Sequence, residues 1–184
     1  MNLDPRRRRI LAVLAALALP PAAAAEEGDA GQVEREVKAA YLYKFGGYVQ
    51  WPESAFRTPD APLRIGIIAA DRLSADLARA VIGRSVNGRP VSVQRLPADE
   101  PVPGEINLLF IGRDLGEQQR VRILAGLRGR PVLTVTEAGA GGWGGIINFV
   151  VVDGRVRFEI APRLAGAGSL AISARLLAAA YKVL

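Results

Sequence analysis

The stretch IINFVVVDGRVRFEI, residues 146–160, constrains the fold more than any other segment of this chain. Two runs rich in β-branched and aromatic residues flank Asp153-Gly154, a pair suited to a type I′ turn because both central positions need positive φ. The segment therefore predicts a β-hairpin, and an isolated hairpin is marginal in water, so it must join a larger sheet. PLRIGIIAA (62–70), EINLLFIG (105–112) and RPVLTVTE (130–137) supply further strands, short apolar runs that read as buried on both faces. Helical patterns lie between them. Strands interleaved with helices and followed by a hairpin predict one α/β domain, a single-domain mixed β-sheet with helices packed on its faces, over residues 32–184.

The first helix is predicted from Val33, Val37, Tyr41, Phe45 and Tyr48, an apolar stripe expected to dock on the sheet, with Glu34 and Lys38 as an exposed i,i+4 pair. Gly46-Gly47 ends that helix, and Pro52 holds Trp51 extended. Tyr43 is the one aromatic off the stripe and is expected to remain free for a partner. DRLSADLARAVIG is read as a helix capped by Asp71 or Ser74. Asn87-Gly88 predicts a tight turn into a strand over 91–96. A helix from Asp114 or Leu115 to Arg128 is expected to turn Val121, Leu124 and Leu127 inward and Arg120, Arg122 and Arg128 outward. The last helix is expected over 172–183.

RRRRILAVLAALALPPAAAA has the layout of a secretory signal: Arg6–Arg9, an apolar run from Ile10 to Leu19, and a small-residue site ending at Ala25. Cleavage after Ala25 is expected, with 26–31 as a short polar leader and the periplasm as destination. The formal charge is +6, and the signal carries four of the arginines and one aspartate, so the mature chain falls to +3. Interspersed charges of that size form no nucleic-acid footprint. The chain has no cysteine and no histidine. Disulfides, thiolate nucleophiles, His-dependent triads and the usual metal ligands are thereby excluded.

Few other motifs suggest chemistry. GAGGWGG matches a G-x-G-x-x-G at Gly139, Gly141 and Gly144, but it leads into a strand where a dinucleotide fingerprint needs a helix. Trp143 in this loop is a candidate for partner or ligand contact. Glu159 shares a face of the hairpin with Arg157, and it is expected to pair with Arg175 if the last helix covers that face. No second carboxylate in the hairpin completes an acid/base pair. The arginines of the middle helix, with Arg113 and Arg130 at its ends, read as a solvated face.

VKAAYLYKFGGYVQWPE (37–53), LRIGII (63–68), NGRPVSVQRL (87–96), LLFIG (108–112), GRPVLTVTE (129–137), GGIINFVVVDGRVRFEI (144–160) and SARLLAAA (173–180) together resemble the YfiR-like family of periplasmic proteins. The resemblance implies a non-enzymatic negative regulator, without cofactor or metal, that binds the periplasmic sensor domain of an inner-membrane diguanylate cyclase and so restrains cyclic-di-GMP signalling and biofilm formation. It further implies that an outer-membrane lipoprotein sequesters the regulator. Family members with cysteines are gated by disulfides; this chain has none. The alternative is a periplasmic small-molecule-binding accessory protein linked to an outer-membrane receptor or sensor kinase, and a homodimer is left open. Tyr43, Trp143, Glu159 and Arg175 are the contact candidates.

Overall fold

A computed structural model of the chain describes residues 22–137 and 144–184, with side chains placed from Ala30 onward in the first helix. That helix, α1, spans Ala22–Phe45 and includes residues 26–31, which the sequence suggested as a leader. After a 3-10 turn at Gly46–Tyr48 come β1 (Val49–Gln50), β2 (Leu63–Ile68), α2 (Asp71–Ala80), β3 (Ser85–Val86) and β4 (Arg89–Arg95). The chain continues through β5 (Leu108–Ile111), α3 (Glu117–Gly126), β6 (Leu133–Thr136), β7 (Ile147–Val152) and β8 (Arg155–Ile160). It closes with α4 (Pro162–Gly166), β9 (Ala171–Ile172), α5 (Ala174–Ala179) and β10 (Lys182–Val183).

Eight strands form one mixed sheet in the order β10-β8-β7-β6-β5-β2-β4-β3, while β1 and β9 pair separately. Strands β4, β2, β5, β6 and β7 are parallel, and β8 returns antiparallel to β7. Both expected turns are present: Asn87 and Gly88 have φ of 50° and 81°, Asp153 and Gly154 of 49° and 69°. The hairpin register sets Phe149 opposite Phe158.

Alternation along the strands divides the core in two. On one face, Ile65, Phe110, Val135, Phe149 and Phe158 meet Leu42 and Phe45 of α1 and Leu73 and Leu77 of α2. The Phe45 ring lies 5.8 Å from Phe149 and 5.1 Å from Phe158, the stacked and edge-on contacts aromatic quadrupoles favour. On the other face, Ile68, Leu109 and Ile111 pack with Ile123 of α3 and Leu127 just beyond it.

Several expectations are corrected. The buried face of α1 runs through Lys38, Ala39, Leu42 and Phe45, whereas Val33, Val37 and Tyr48 are exposed. Lys38 is therefore not on the solvent side. In α3, which begins at Glu117, Arg120 is buried and Val121 exposed, because Ile123 and Leu127 set the inward phase and Arg120 falls on it. Neither Asp71 nor Ser74 caps α2; its N-cap is Ala70, without a side-chain bond, and Ser74 is buried. The last helix is only six residues long, since the Tyr181 N–H donates to the Phe158 carbonyl at 2.8 Å and draws β10 alongside β8. Among the described residues no helix is long and apolar enough to cross a membrane.

Candidate functional site

The strand order reverses between β2 and β5: from β2 the chain passes through α2 to β4 on one side, then crosses to β5 on the other. In open α/β sheets such a reversal leaves a crevice at the carboxyl ends of the strands, the usual place for ligands. Here residues 69–73 after β2, 112–114 after β5, Glu137 after β6 and one side of α1 enclose a cavity of about 670 Å³. Its floor is tightly built. Ala69 has φ of 54°, a left-handed conformation costing about 1–2 kcal/mol for a residue with a Cβ. A Cβ at Gly112 would collide with the Ala69 carbonyl, so only glycine lets the two strand ends approach.

Four of the charged groups that line this crevice form one cluster. Lys38, 3% exposed, donates from Nζ to Glu137 at 2.6 Å and to Glu34 one turn away. Arg113 bridges the same two carboxylates, meeting Glu34 at 2.6 Å and also Glu137. Burial pushes the Glu34 carboxyl up, but the hydrogen bond and charge of Lys38, with Arg113 behind them, outweigh it and hold the group below its ordinary 4.5. Burial likewise opposes the charge on Arg113, and Glu137 and Glu34 overcome it, raising its pKa. Both groups stay ionised at neutral pH. Nearby, Arg35 meets Asp76 of α2 at 3.1 Å, and Arg79 shares that carboxylate. Four cations thus share three carboxylates in a joint between α1, α2 and the strand ends. Such an arrangement suits a clamp better than a proton relay, because Glu34, Glu137 and Asp76 each already have a cation to neutralise them.

The four residues singled out from the sequence fall in different places. Trp143 lies outside the described residues, as do Gly139 and Gly141 of the glycine-rich loop. Tyr43 is half-buried: its hydroxyl donates to the Ser85 carbonyl at 3.0 Å, and the Arg84 guanidinium lies 5.6 Å from its ring. It is therefore engaged with β3 and its approach rather than free. Glu159 is buried, with Asn148 and Lys182 as its register neighbours. It does not meet Arg175. Residues 158 and 159 point to opposite faces of β8, and Arg175 shares a hollow with Phe158.

That hollow, of about 180 Å³, lies between α1 and α5 and is lined by Tyr41, Lys44, Phe45, Tyr48, Arg175 and Ala179, among others. Tyr48 is 39% exposed. Lys44 and Arg175 face solvent and form no ion pair among the described residues. Val33 and Val37 expose apolar surface on α1 itself. Aromatic and arginine side chains beside apolar surface are the composition of protein-contact hot spots. The sequence reading missed Lys44 and turned Tyr48 inward with the stripe. The Gly46-Gly47 pair was the available signal: the 3-10 turn it permits advances about 120° per residue instead of 100°, which rotates Tyr48 out of phase.

A family model described as YfiR/HmsC-like matches residues 35–181, from Arg35 of α1 to Tyr181 just before β10. The match takes in well over half of the chain, so the chain belongs to the YfiR/HmsC-like family.

Proposed function

We propose that this YfiR/HmsC-like protein is a non-enzymatic regulator that acts by binding a protein partner, and that the partner is an inner-membrane diguanylate cyclase whose periplasmic sensor domain it holds in the inactive state. The family membership supports a regulatory role with a protein partner. The observation that carries a binding role is the α1–α5 surface, where Tyr48 lies beside Lys44 and Arg175, two cations without ion pairs among the described residues. The crevice supports the same reading, since Glu34 and Glu137 are committed to Lys38 and Arg113, and Asp76 beside it to Arg35 and Arg79. In this reading the secretory signal is removed after Ala25, the protein works in the periplasm, and an outer-membrane lipoprotein competes for it.

Moving a partner from mostly active to mostly inactive needs a differential affinity of about 5 kcal/mol, which a few anchor residues can supply. Deleting the gene is expected to raise cyclic diguanylate and surface attachment, and deleting the cognate cyclase as well is expected to cancel the rise. The double variant Tyr48→Ala, Arg175→Glu is expected to reproduce the deletion while leaving the melting temperature within about 2 °C, because exposed substitutions rarely move stability by more than about 0.5 kcal/mol. A deletion that leaves cyclic diguanylate unchanged would refute the regulatory reading. Full repression by a stably folded double variant would move the contact surface elsewhere.

A further inference from the structure

On the sheet face opposite α1, the space between α3 and α4 opens into a second cavity, of about 550 Å³. Its size is that of a small-molecule pocket, for which about 300–1,000 Å³ is usual. Leu124 and Leu127 form one wall, Val132 and Ile146 the base, and Leu164 and Ala167 the other wall. Val121 and Leu164 remain largely exposed at its lining. The walls are set by close backbone approach: a Cβ at Gly144 would come within 2.6 Å of Leu124 Cδ1, and one at Gly168 would run into the Arg130 carbonyl. The apolar side chains that line the cavity among the described residues are all aliphatic.

The charge around this slot differs from that in the crevice. Among the described residues Arg128, Arg130 and Arg163 line it, Leu184 closes one side, and no acidic side chain takes part. Arg130 donates to the carbonyl oxygens of Val102 at 3.0 Å and Pro103 at 2.7 Å, neutral acceptors that orient the guanidinium without cancelling its charge. Arg128 and Arg163 are exposed and have no ion pair among the described residues. An aliphatic slot under uncompensated guanidinium forks matches a molecule with an aliphatic body and one planar anionic head.

We propose that the slot between α3 and α4 binds a medium-chain aliphatic carboxylate, with the chain against Leu124, Leu127 and Ile146 and the carboxylate at Arg128 and Arg163. The proposal is independent of the regulatory reading, because it concerns ligand binding by the isolated protein. Chain length and head group make separable demands. Each pair of added methylenes is expected to tighten binding on the order of tenfold while the slot has room. The head group is expected to select carboxylate over alcohol and to reject a cation, since guanidinium attracts the first, is indifferent to the second and repels the third.

Isothermal titration of the purified protein with octanoate, decanoate, decanol and decylammonium tests this directly. The expected result is saturable one-to-one binding of decanoate, about tenfold tighter than octanoate and at least about tenfold tighter than decanol, with no binding of decylammonium. The double reversal Arg128→Glu, Arg163→Glu is expected to weaken decanoate at least about tenfold and leave decanol unchanged. Both arginines are exposed, so the fold is expected to persist, as thermal melting would verify. Ala125→Trp, from an exposed position on α3 at the slot, is expected to abolish binding of both decanoate and decanol. Equal affinity for decanoate and decanol, unchanged decanoate affinity in the double reversal, or no saturable binding at millimolar decanoate would each overturn the proposal.

Discussion

On one face of the sheet, α1 seats Leu42 and Phe45 against Phe149 and Phe158, and the lysine it buries, Lys38, meets two carboxylates. On the other, α3 seats Ile123, with Leu127 just beyond it, against Ile68 and Ile111, and the arginines bordering its cavity meet neutral carbonyls or solvent. The physical cost of charge explains the contrast. An ion taken out of water must be paired, so the charges around α1 are committed to holding the helix in place. Charges left at the surface carry no such obligation, and those around the α3–α4 slot remain available to a ligand. The same distinction sets Lys44 and Arg175 apart from Lys38.

The sharpest way to break this contrast is to remove one ring. Phe45 is fully buried and stacks with Tyr41 and Phe149, with an edge contact to Phe158. Phe45→Ala is expected to cost about 3–5 kcal/mol, the range for deleting a buried aromatic. Val121→Ala, at a position 58% exposed on the opposite helix, is expected to stay within about 0.5 kcal/mol. Urea denaturation measures both. Similar midpoints for the two variants would show that α1 is not the principal closure of its face.

A smaller effect is expected at the clamp. Lys38→Met keeps the length of the side chain and removes its charge, leaving Glu34 and Glu137 to Arg113 alone; a loss of about 2 kcal/mol is expected, below the usual penalty for breaking a buried pair because one cation remains. The acid dependence gives an independent check. The Glu34 carboxyl is held below 4.5 in the folded protein, so the unfolded chain binds its proton more readily. Its stabilising contribution is complete above pH 4.5 and disappears as pH falls through the lower folded value. In Lys38→Met that portion of the acid sensitivity is expected to shrink, with Arg113 supplying what remains. An unaltered pH profile between 5 and 3 would mean that Lys38 does not hold Glu34.

What could be read from the sequence follows the range of the interactions responsible. The hairpin and the Asn87-Gly88 turn are local, since positive φ at two adjacent residues is encoded by those two residues. The central strands are legible because a run such as LLFI is apolar throughout and suits burial on both faces. The phase of α1 was not legible. Glu34 and Lys38 look like a solvent pair at i,i+4, and the burial of Lys38 depends on Glu137, 99 residues away. In α3 the same blindness placed Arg120 outside and Val121 inside. Pairing Glu159 with Arg175 requires the last helix to cover the Glu159 face, whereas the hollow at Arg175 is lined by Phe158. Lys44 and Tyr48 went unread because a 3-10 turn changes the angular period just where the stripe seemed to continue.

The smallest expected effect tests how far the aromatic face depends on the turn that aligns it. Phe149 and Phe158 face each other across the hairpin, so the pairing of β7 with β8 delivers both rings to Phe45. Gly154, at φ 69°, has nothing within 4 Å of where a Cβ would stand, which leaves backbone conformation as the only penalty for adding one. Gly154→Ala is therefore expected to destabilise by about 1 kcal/mol, the cost of the left-handed region for a residue with a Cβ. Gly126, in the last turn of α3, also has open space around its missing Cβ but no positive φ. Gly126→Ala is expected to stabilise by about 0.5–1 kcal/mol, because alanine favours a helix and narrows the unfolded ensemble. Parallel denaturation curves should move in opposite directions from the wild type. If both variants were stabilised, residue 154 would not be confined to the left-handed region in solution, and the alignment of the two phenylalanines would have to come from the packing of α1 instead of from the turn.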